Sequence, residues 1–304
     1  MAAALLSVEA SLAGRAWHMR LDAAGERLAE RLMEAFGLNP YVARAAAGRG
    51  VTEETLENFL TPSLARDLPD PYLLKDMETA AVRLTEAIIA GEKIAVFGDY
   101  DVDGATSSAL AARFLKSVGH EAFEIYIPDR VKEGYGPNTK AMLALKERGA
   151  KVVVTVDCGT LAHAPLREAK DAGLDVIVCD HHLAEGALPE ALAIINPNRM
   201  DEGPALRNLA AVGVVFLLLV AVNRELRVRG FFKMKPESDL KTMLDIVALG
   251  TVADVVALTG LNRTLVAQGL KVMGQRKNIG LKALMDVARL NERPNAYHLG
   301  FLLG

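Results

Sequence analysis

VFGDYDVDGATSSA, residues 96–109, is the stretch on which the reading of this chain turns. An apolar run ends at Phe97, and Asp99, Asp101 and Asp103 then follow at every second position. Three carboxylates this close repel one another unless something cationic sits among them. The run before them, KIAVFGDY (93–100), has strand character. TSSALAARFLKSVG (106–119) has helical character and closes on Gly119. The acidic turn thus stands at the C-terminal end of a strand, with Gly104 expected to let the chain turn tightly into the helix.

Working outward, the same alternation repeats. EAFEIYIP (121–128), KVVVTVDCG (151–159), DVIVCDHH (175–182) and LAIINPN (192–198) read as strands. NTKAMLALKERG (138–149) and APLREAKDAG (164–173) read as the helices between them. Strands alternating with helices of this length predict an α/β fold, a parallel sheet flanked by helices. The strands are almost wholly apolar, as expected when helices cover both faces. Past residue 205 the pattern is mostly helical. Upstream, residues 22–36 have helical spacing with Leu28, Leu32 and Phe36 on one face. In TEETLENFL (52–60), Thr52 with the glutamates that follow it reads as a capping box, so another short helix is expected to begin there. TPSLARDLPDPYLLKD (61–76) reads as a connector. The expected division is a small, mainly helical N-terminal segment, 1–75, and a main domain, 76–304.

Composition sets the outer limits. The chain has 304 residues, about half of them hydrophobic and a quarter charged, with a net charge of −3. That balance gives no general electrostatic pull toward nucleic acid, so an anionic ligand must be held locally by metal ions or a basic patch. Cys158 and Cys179 are the only cysteines, which points to a reducing, cytoplasmic setting. The N-terminus lacks a basic region before its apolar residues, arguing against a signal peptide. The most apolar run, residues 209–222, is too short for a bilayer and reads as a buried helix, so no membrane is expected. No GxxxxGK[ST] occurs, and the first strand leads into an Asp-rich turn instead of GxGxxG; P-loop and dinucleotide-binding readings fall away.

Polar residues fall at the C-terminal ends of the strands: Asp99, Asp101 and Asp103 after the first, Asp157 after the third, Asp180, His181 and His182 after the fourth. In an open parallel sheet those ends share one edge, where ligands bind. Asp254, in the apolar run VALGTVADVVAL (247–258), is expected to be partly buried and in need of a partner. Carboxylates with imidazole suit Mn²⁺, Mg²⁺ or Zn²⁺. Two such ions sharing a bridging Asp would activate water for in-line displacement at phosphorus.

DYDVDGATS (99–107), VDCG (156–159), DHH (180–182) and GTVADVV (250–256), in that order, resemble the four motifs of the DHH phosphoesterase superfamily, and most closely its bacterial RecJ exonuclease branch. IPDRVKEGYGPN (127–138) and INPN (195–198) look like the connecting segments of that branch. The likeness covers roughly residues 38–304. It implies 5′→3′ degradation of single-stranded DNA to mononucleotides, in DNA repair and recombination, with two ions of Mn²⁺ or Mg²⁺. Carried over by motif, Asp101, Asp103, Asp157, His181 and Asp254 are metal ligands, with Asp157 the bridge. His182 touches the scissile phosphate or leaving group, while Asp99 and Asp180 orient ligands or bind metal directly. Thr106 and Ser107 are expected to open a helix and meet a phosphate. Arg130 and Lys132 are the candidate contacts to the DNA backbone. Single-strand-binding protein and a RecQ-type helicase are the partners the resemblance brings. Other DHH chemistries (oligoribonucleotides, cyclic dinucleotides, pyrophosphate) and a non-catalytic scaffold are the alternatives. Proteins of the RecJ branch continue into a DHHA1 domain and an OB-type domain, whereas this sequence stops at YHLGFLLG. The chain is therefore expected to be a fragment with a complete metal site and one wall of the substrate cleft missing.

Overall fold

Strand ends that finish level with one another organise this molecule. The computed structural model describes residues 4–184 and 186–304. Its sheet contains β1 (Ile94–Gly98), β2 (Phe123–Tyr126), β3 (Val152–Val156), β4 (Asp175–Cys179) and β5 (Ala193–Ile195), all parallel, in the order β2-β1-β3-β4-β5. Gly98 pairs with Val156, Val156 with Cys179, and Cys179 with Ile195. The ladder runs one residue further, through Asp99 N–H to Val156 O, Asp157 N–H to Cys179 O and Asp180 N–H to Ile195 O. Asp99, Asp157, Asp180 and Asn196 consequently stand in one row across the top of the sheet. Strand order reverses between β1 and β3, which is where open α/β sheets place ligands.

The chain forms two compact units, Met1–Pro62 and Ser63–Gly304. The first holds α1 (Ala23–Phe36), α2 (Pro40–Ala47) and α3 (Leu56–Leu60) around Ala29, Leu32, Ala43, Ala46 and Leu56. Asp22 caps α1, its carboxylate accepting from Gly25 N–H at 2.7 Å. Phe36 ends α1 and is exposed, so the apolar face of that helix stops short of it. The helix expected to open at Thr52 starts only at Leu56. A capping box needs Glu or Gln three residues after the Thr, and that position is Thr55. The two hydroxyls, 3.2 Å apart, bond to each other instead of capping.

In the second unit, α4 (Leu64–Asp67) and a short turn at Pro71–Leu73 occupy the stretch that reads as a connector, and Leu64, Leu68 and Tyr72 pack against the main core. Next come α5 (Met77–Ala90), α6 (Val102–Ser117), α7 (Thr139–Glu147), α8 (His163–Asp171), α9 (Ala211–Val228), α10 (Leu244–Ala253), α11 (Gly260–Met273) and α12 (Ile279–Val287). Alternate residues of each strand point to opposite faces. Ile94, Val96, Val152, Val154 and Ile177 pack with α5, α6, α9 and α10. Ala95, Phe97, Val153, Val176 and Val178 pack with α7 and α8. Burial on both faces is why these strands read as unbroken apolar runs. The 209–222 run is the buried stretch leading into and forming most of α9. Among the described residues no helix is long and apolar enough to cross a membrane.

Two features of the β1–α6 corner differ from expectation. Helix α6 starts at Val102, four residues earlier than Thr106, because Asp101 caps it by accepting from Gly104 N–H at 3.0 Å. Gly104 lies inside that helix and is required for close approach, since a Cβ there would fall 2.4 Å from Asp99 O. At the far edge of the sheet, the Ile194 N–H donates to Asp76 Oδ2 (3.0 Å) and Arg199 Nη1 donates to Ile194 O (2.7 Å). Arg199 also meets Asp76 Oδ2 at 2.7 Å.

Candidate active site

The row above the sheet supplies three buried carboxylates, Asp99, Asp157 and Asp180. Asp157 turns out of β3 with φ +61°, a left-handed conformation that Asp tolerates better than most residues. Helix α6 adds Asp101 at its cap and buried Asp103 in its first turn. Asp103 reaches across to the start of α9, accepting from Ala211 N–H (2.6 Å) and Val212 N–H (2.9 Å). That helix terminus favours a carboxylate and fixes its direction. Asp254 comes from the C-terminal end of α10.

His181 lies at the centre. Its Nε2 is 3.4 Å from Asp157 Oδ1, 3.7 Å from Asp254 Oδ2 and 3.9 Å from Asp103 Oδ2. These gaps exceed hydrogen-bond length and match the spacing of ligands around one cation with bonds of about 2.1 Å. Three groups offer ligand atoms within 4.8 Å of one another: Asp99, Asp101 and Asp157; Asp103, His181 and Asp254; and Asp157, His181 and His182. Asp157 and His181 each belong to two of the groups. Asp99 Oδ1, Asp157 Oδ1 and Asp254 Oδ2 are buried without a hydrogen-bond partner. Orphaned carboxylate oxygens in adjoining groups, Asp99 beside Asp157 and Asp254 beside His181, are what cations would satisfy.

The charge balance says the same. Burial, then Asp103 and Asp101, push the Asp157 carboxyl up to about 10. Burial and Asp254 push Asp103 up to about 7. Burial also raises Asp99 and Asp254. Asp180 behaves oppositely: burial would raise it, but hydrogen bonds from His182 and Thr160 outweigh burial and hold it at about 2. Its Oδ1 lies 2.7 Å from His182 Nδ1 and accepts from His181 N–H, while its Oδ2 accepts from Thr160 N–H. With Asp180 ionised, Nδ1 carries the proton and Nε2 is left for other work. The same hydrogen bond raises His182 above the usual histidine value.

In the metal-free protein, Asp103 and Asp157 hold protons that the unfolded chain has already released. Raised carboxyl values therefore lower folding stability as pH climbs from the unfolded value, near 3.8, through about 7 for Asp103 and about 10 for Asp157. The raised His182 acts in the same direction, its contribution fading as pH rises. Urea midpoints measured in chelator are expected to fall from about pH 5.5 to about pH 9, and the increment from added Mn²⁺ to grow over that range. A flat chelator profile would remove the charge argument.

The structure brings Asp99, Asp101, Asp103, Asp157, Asp180, His181, His182 and Asp254 together. Arg130 is held nearby, its guanidinium 4.8 Å from the Tyr100 ring centroid. Lys132 is exposed and pairs with Asp129 at 3.3 Å. Thr106 and Ser107 are one turn into α6: the Thr106 hydroxyl donates to Val102 O and Ser107 is fully buried. Sequence reasoning misses Tyr135, whose hydroxyl donates to Asp157 O (3.1 Å) and lies 3.2 Å from His182 Nδ1. Its place in the GYGPN stretch is the only pointer. Beside Asp101 opens an apolar groove of about 610 Å³, walled by Tyr100, Val102, Ala105, Leu249 and Leu281.

The DHH family, N-terminal domain, matches residues 93–251, just over half of the chain and all of the sheet. The chain belongs to the DHH family. Within it, the single-stranded-DNA-specific exonuclease RecJ of Escherichia coli is 40% identical over 273 residues, covering 88% of this chain and 46% of that protein. RecJ of Bacillus subtilis is 38% identical over 274 residues, covering 88% of this chain and 33% of that protein. The chain thus spans a third to a half of the length of these relatives. Among solved structures, RecJ from Thermus thermophilus in complex with Mn²⁺ superposes with a TM-score of 0.70 at 31% identity, covering 91% of this chain and 37% of that one. An exonuclease RecJ bound to manganese superposes with a TM-score of 0.66 at 34% identity, covering 75% and 55%.

Proposed function

We propose that this DHH chain carries the hydrolytic core of a single-strand-specific DNA exonuclease that releases mononucleotides 5′→3′ with two divalent ions, Mn²⁺ or Mg²⁺. The observation that carries the reading is the convergence of Asp157 and Asp254, each with an unpartnered buried oxygen, on His181, with Asp99 orphaned in the same way beside Asp157. The names of the RecJ relatives support the substrate, and the manganese complexes support the metal. When bound, the ions supply nucleophile activation and Lewis-acid charge at the phosphate.

The chain's own residues do the rest. Asp157 would hold an ion with Asp99 and Asp101 on one side and His181 would hold one with Asp103 and Asp254 on the other; the two residues meet 3.4 Å apart, and Asp157 is the candidate for the shared ligand. Asp180 keeps the proton on His182 Nδ1, so His182 Nε2 is held ready to move a proton at the leaving oxygen. Tyr135 steadies the Asp157 carbonyl and the His182 ring. Arg130, braced on Tyr100, and Lys132 are the residues this reading assigns to backbone phosphates, and the apolar groove beside Asp101 is its candidate surface for a base or sugar. Single-strand-binding protein and a RecQ-type helicase are the partners of this reading, in a cytoplasmic setting consistent with two free, buried cysteines.

The test is product release from 5′-phosphorylated single-stranded DNA, the matching duplex, an oligoribonucleotide, a cyclic dinucleotide and pyrophosphate. Mononucleotides are expected from single-stranded DNA in Mn²⁺, and none in chelator. Hydrolysis of one of the other substrates in place of DNA would overturn the reading.

A further inference from the structure

The fourth member of the row above the sheet is not an acid. Asn196 follows β5 at the level of Asp99, Asp157 and Asp180, and it is fully buried. Its Nδ2 donates to His182 O and to Thr160 Oγ1, both at 2.9 Å, using both amide hydrogens. Its Oδ1 accepts from Asn198 N–H at 2.8 Å. The Asn198 Nδ2 in turn donates to His181 O. Two neighbouring amide side chains therefore hold the carbonyls of the two adjacent histidines. The hold extends beyond them: Ala184 and Arg199 form a parallel bridge, and Arg199 is fastened to Asp76 and Asp201.

We propose that Asn196 and Asn198 are positioning residues that set the backbone of His181 and His182, and through it the aim of their rings at the ligand oxygens. This rests on the metal-dependent hydrolase reading above. The physical reason is how the peptide groups of the two histidines are tied. Asp180 secures their N–H groups, and the two asparagines secure their carbonyls. With both ends of each residue held, the imidazoles meet Asp157 and Asp254 without reorganisation.

Asn198 is only partly buried, so its replacement is the cleaner test. In the full chain, Asn198→Ala is expected to weaken Mn²⁺ binding, read by calorimetry, by roughly 10-fold or more. The kcat for nucleotide release should fall while KM stays within about two-fold, because the substrate-binding groups are untouched. Its urea midpoint in chelator should match the unchanged chain. Asn198→Asp, which keeps the shape and loses the donor, should behave alike and serves if the alanine variant does not fold. Mn²⁺ affinity within about two-fold of the unchanged chain in either folded variant overturns the proposal, as does an unchanged chain that fails to bind Mn²⁺. If the unchanged chain binds Mn²⁺ but releases no nucleotide from DNA, the exonuclease reading fails and the metal affinities alone decide the role of the asparagines.

Discussion

Exchanging Asp157 for asparagine is expected to abolish Mn²⁺-dependent nucleotide release while making the metal-free protein more stable. The activity loss should be on the order of 10³-fold, equivalent to about 4 kcal/mol of barrier. Asp157 lies in two of the three candidate ligand groups, so its removal breaks both of those groups at once. The stability gain follows from burial and from Asp103 and Asp101, which push its carboxyl up to about 10. The folded protein must keep that group protonated, while the unfolded chain lets it ionise; at about pH 8 this difference works against folding, and a neutral amide removes it. Asparagine is the right replacement because φ is +61° here. Alanine would lose the same activity and forfeit roughly 1–2 kcal/mol through its poor tolerance of that conformation. Single-turnover assays and urea melts in chelator, both at about pH 8, read the two effects. Retained activity would end the assignment of Asp157 as shared ligand.

Gly104→Ala should destabilise the fold, against the usual trend for helices. In an ordinary helix interior, alanine is better than glycine by about 1 kcal/mol. Here the added Cβ would sit 2.4 Å from Asp99 O and 2.7 Å from Asp99 N, both backbone atoms that cannot swing aside. Overpacking of this sort costs roughly 1–3 kcal/mol, so the clash outweighs the propensity gain. Displacing Asp99 also disturbs the first ligand group, and Mn²⁺ affinity should drop with stability. A urea midpoint equal to or above that of the unchanged chain would show that β1 and α6 are not locked together at this point.

The acidic and histidine positions are legible in the sequence because they combine two local patterns, apolar strands and polar residues at the strand ends. A parallel sheet turns that pattern into convergence without further information. What stays hidden is of another kind. VDG reads as a turn, so the start of α6 is expected too late; only the Asp101 cap, a three-residue relation, marks the true beginning. Thr106 and Ser107 are thereby given a helix end they do not occupy. The asparagines of INPN are neutral and attract no notice by charge. Their importance comes from partners at residues 160, 181 and 182, which only the register of β4 with β5 brings near. Tyr135 sits in a loop whose path depends on Glu133, which accepts from Tyr126, Asp129 N–H and Asn138. No periodicity records such a path.

The side-chain bonds to Ile194 have a consequence for how the molecule behaves among its own copies. An outermost strand offers bare peptide groups to any extended chain that drifts past, which is how sheets recruit neighbours and aggregate. At β5 the outward N–H and C=O of Ile194 are already taken, by Asp76 and Arg199. An incoming strand would have to break an ion-paired guanidinium before gaining its first peptide bond. Arg199 immediately follows the two asparagines that hold the histidines, so one side chain serves as a guard against unwanted self-association and as an anchor for the segment next to those histidines.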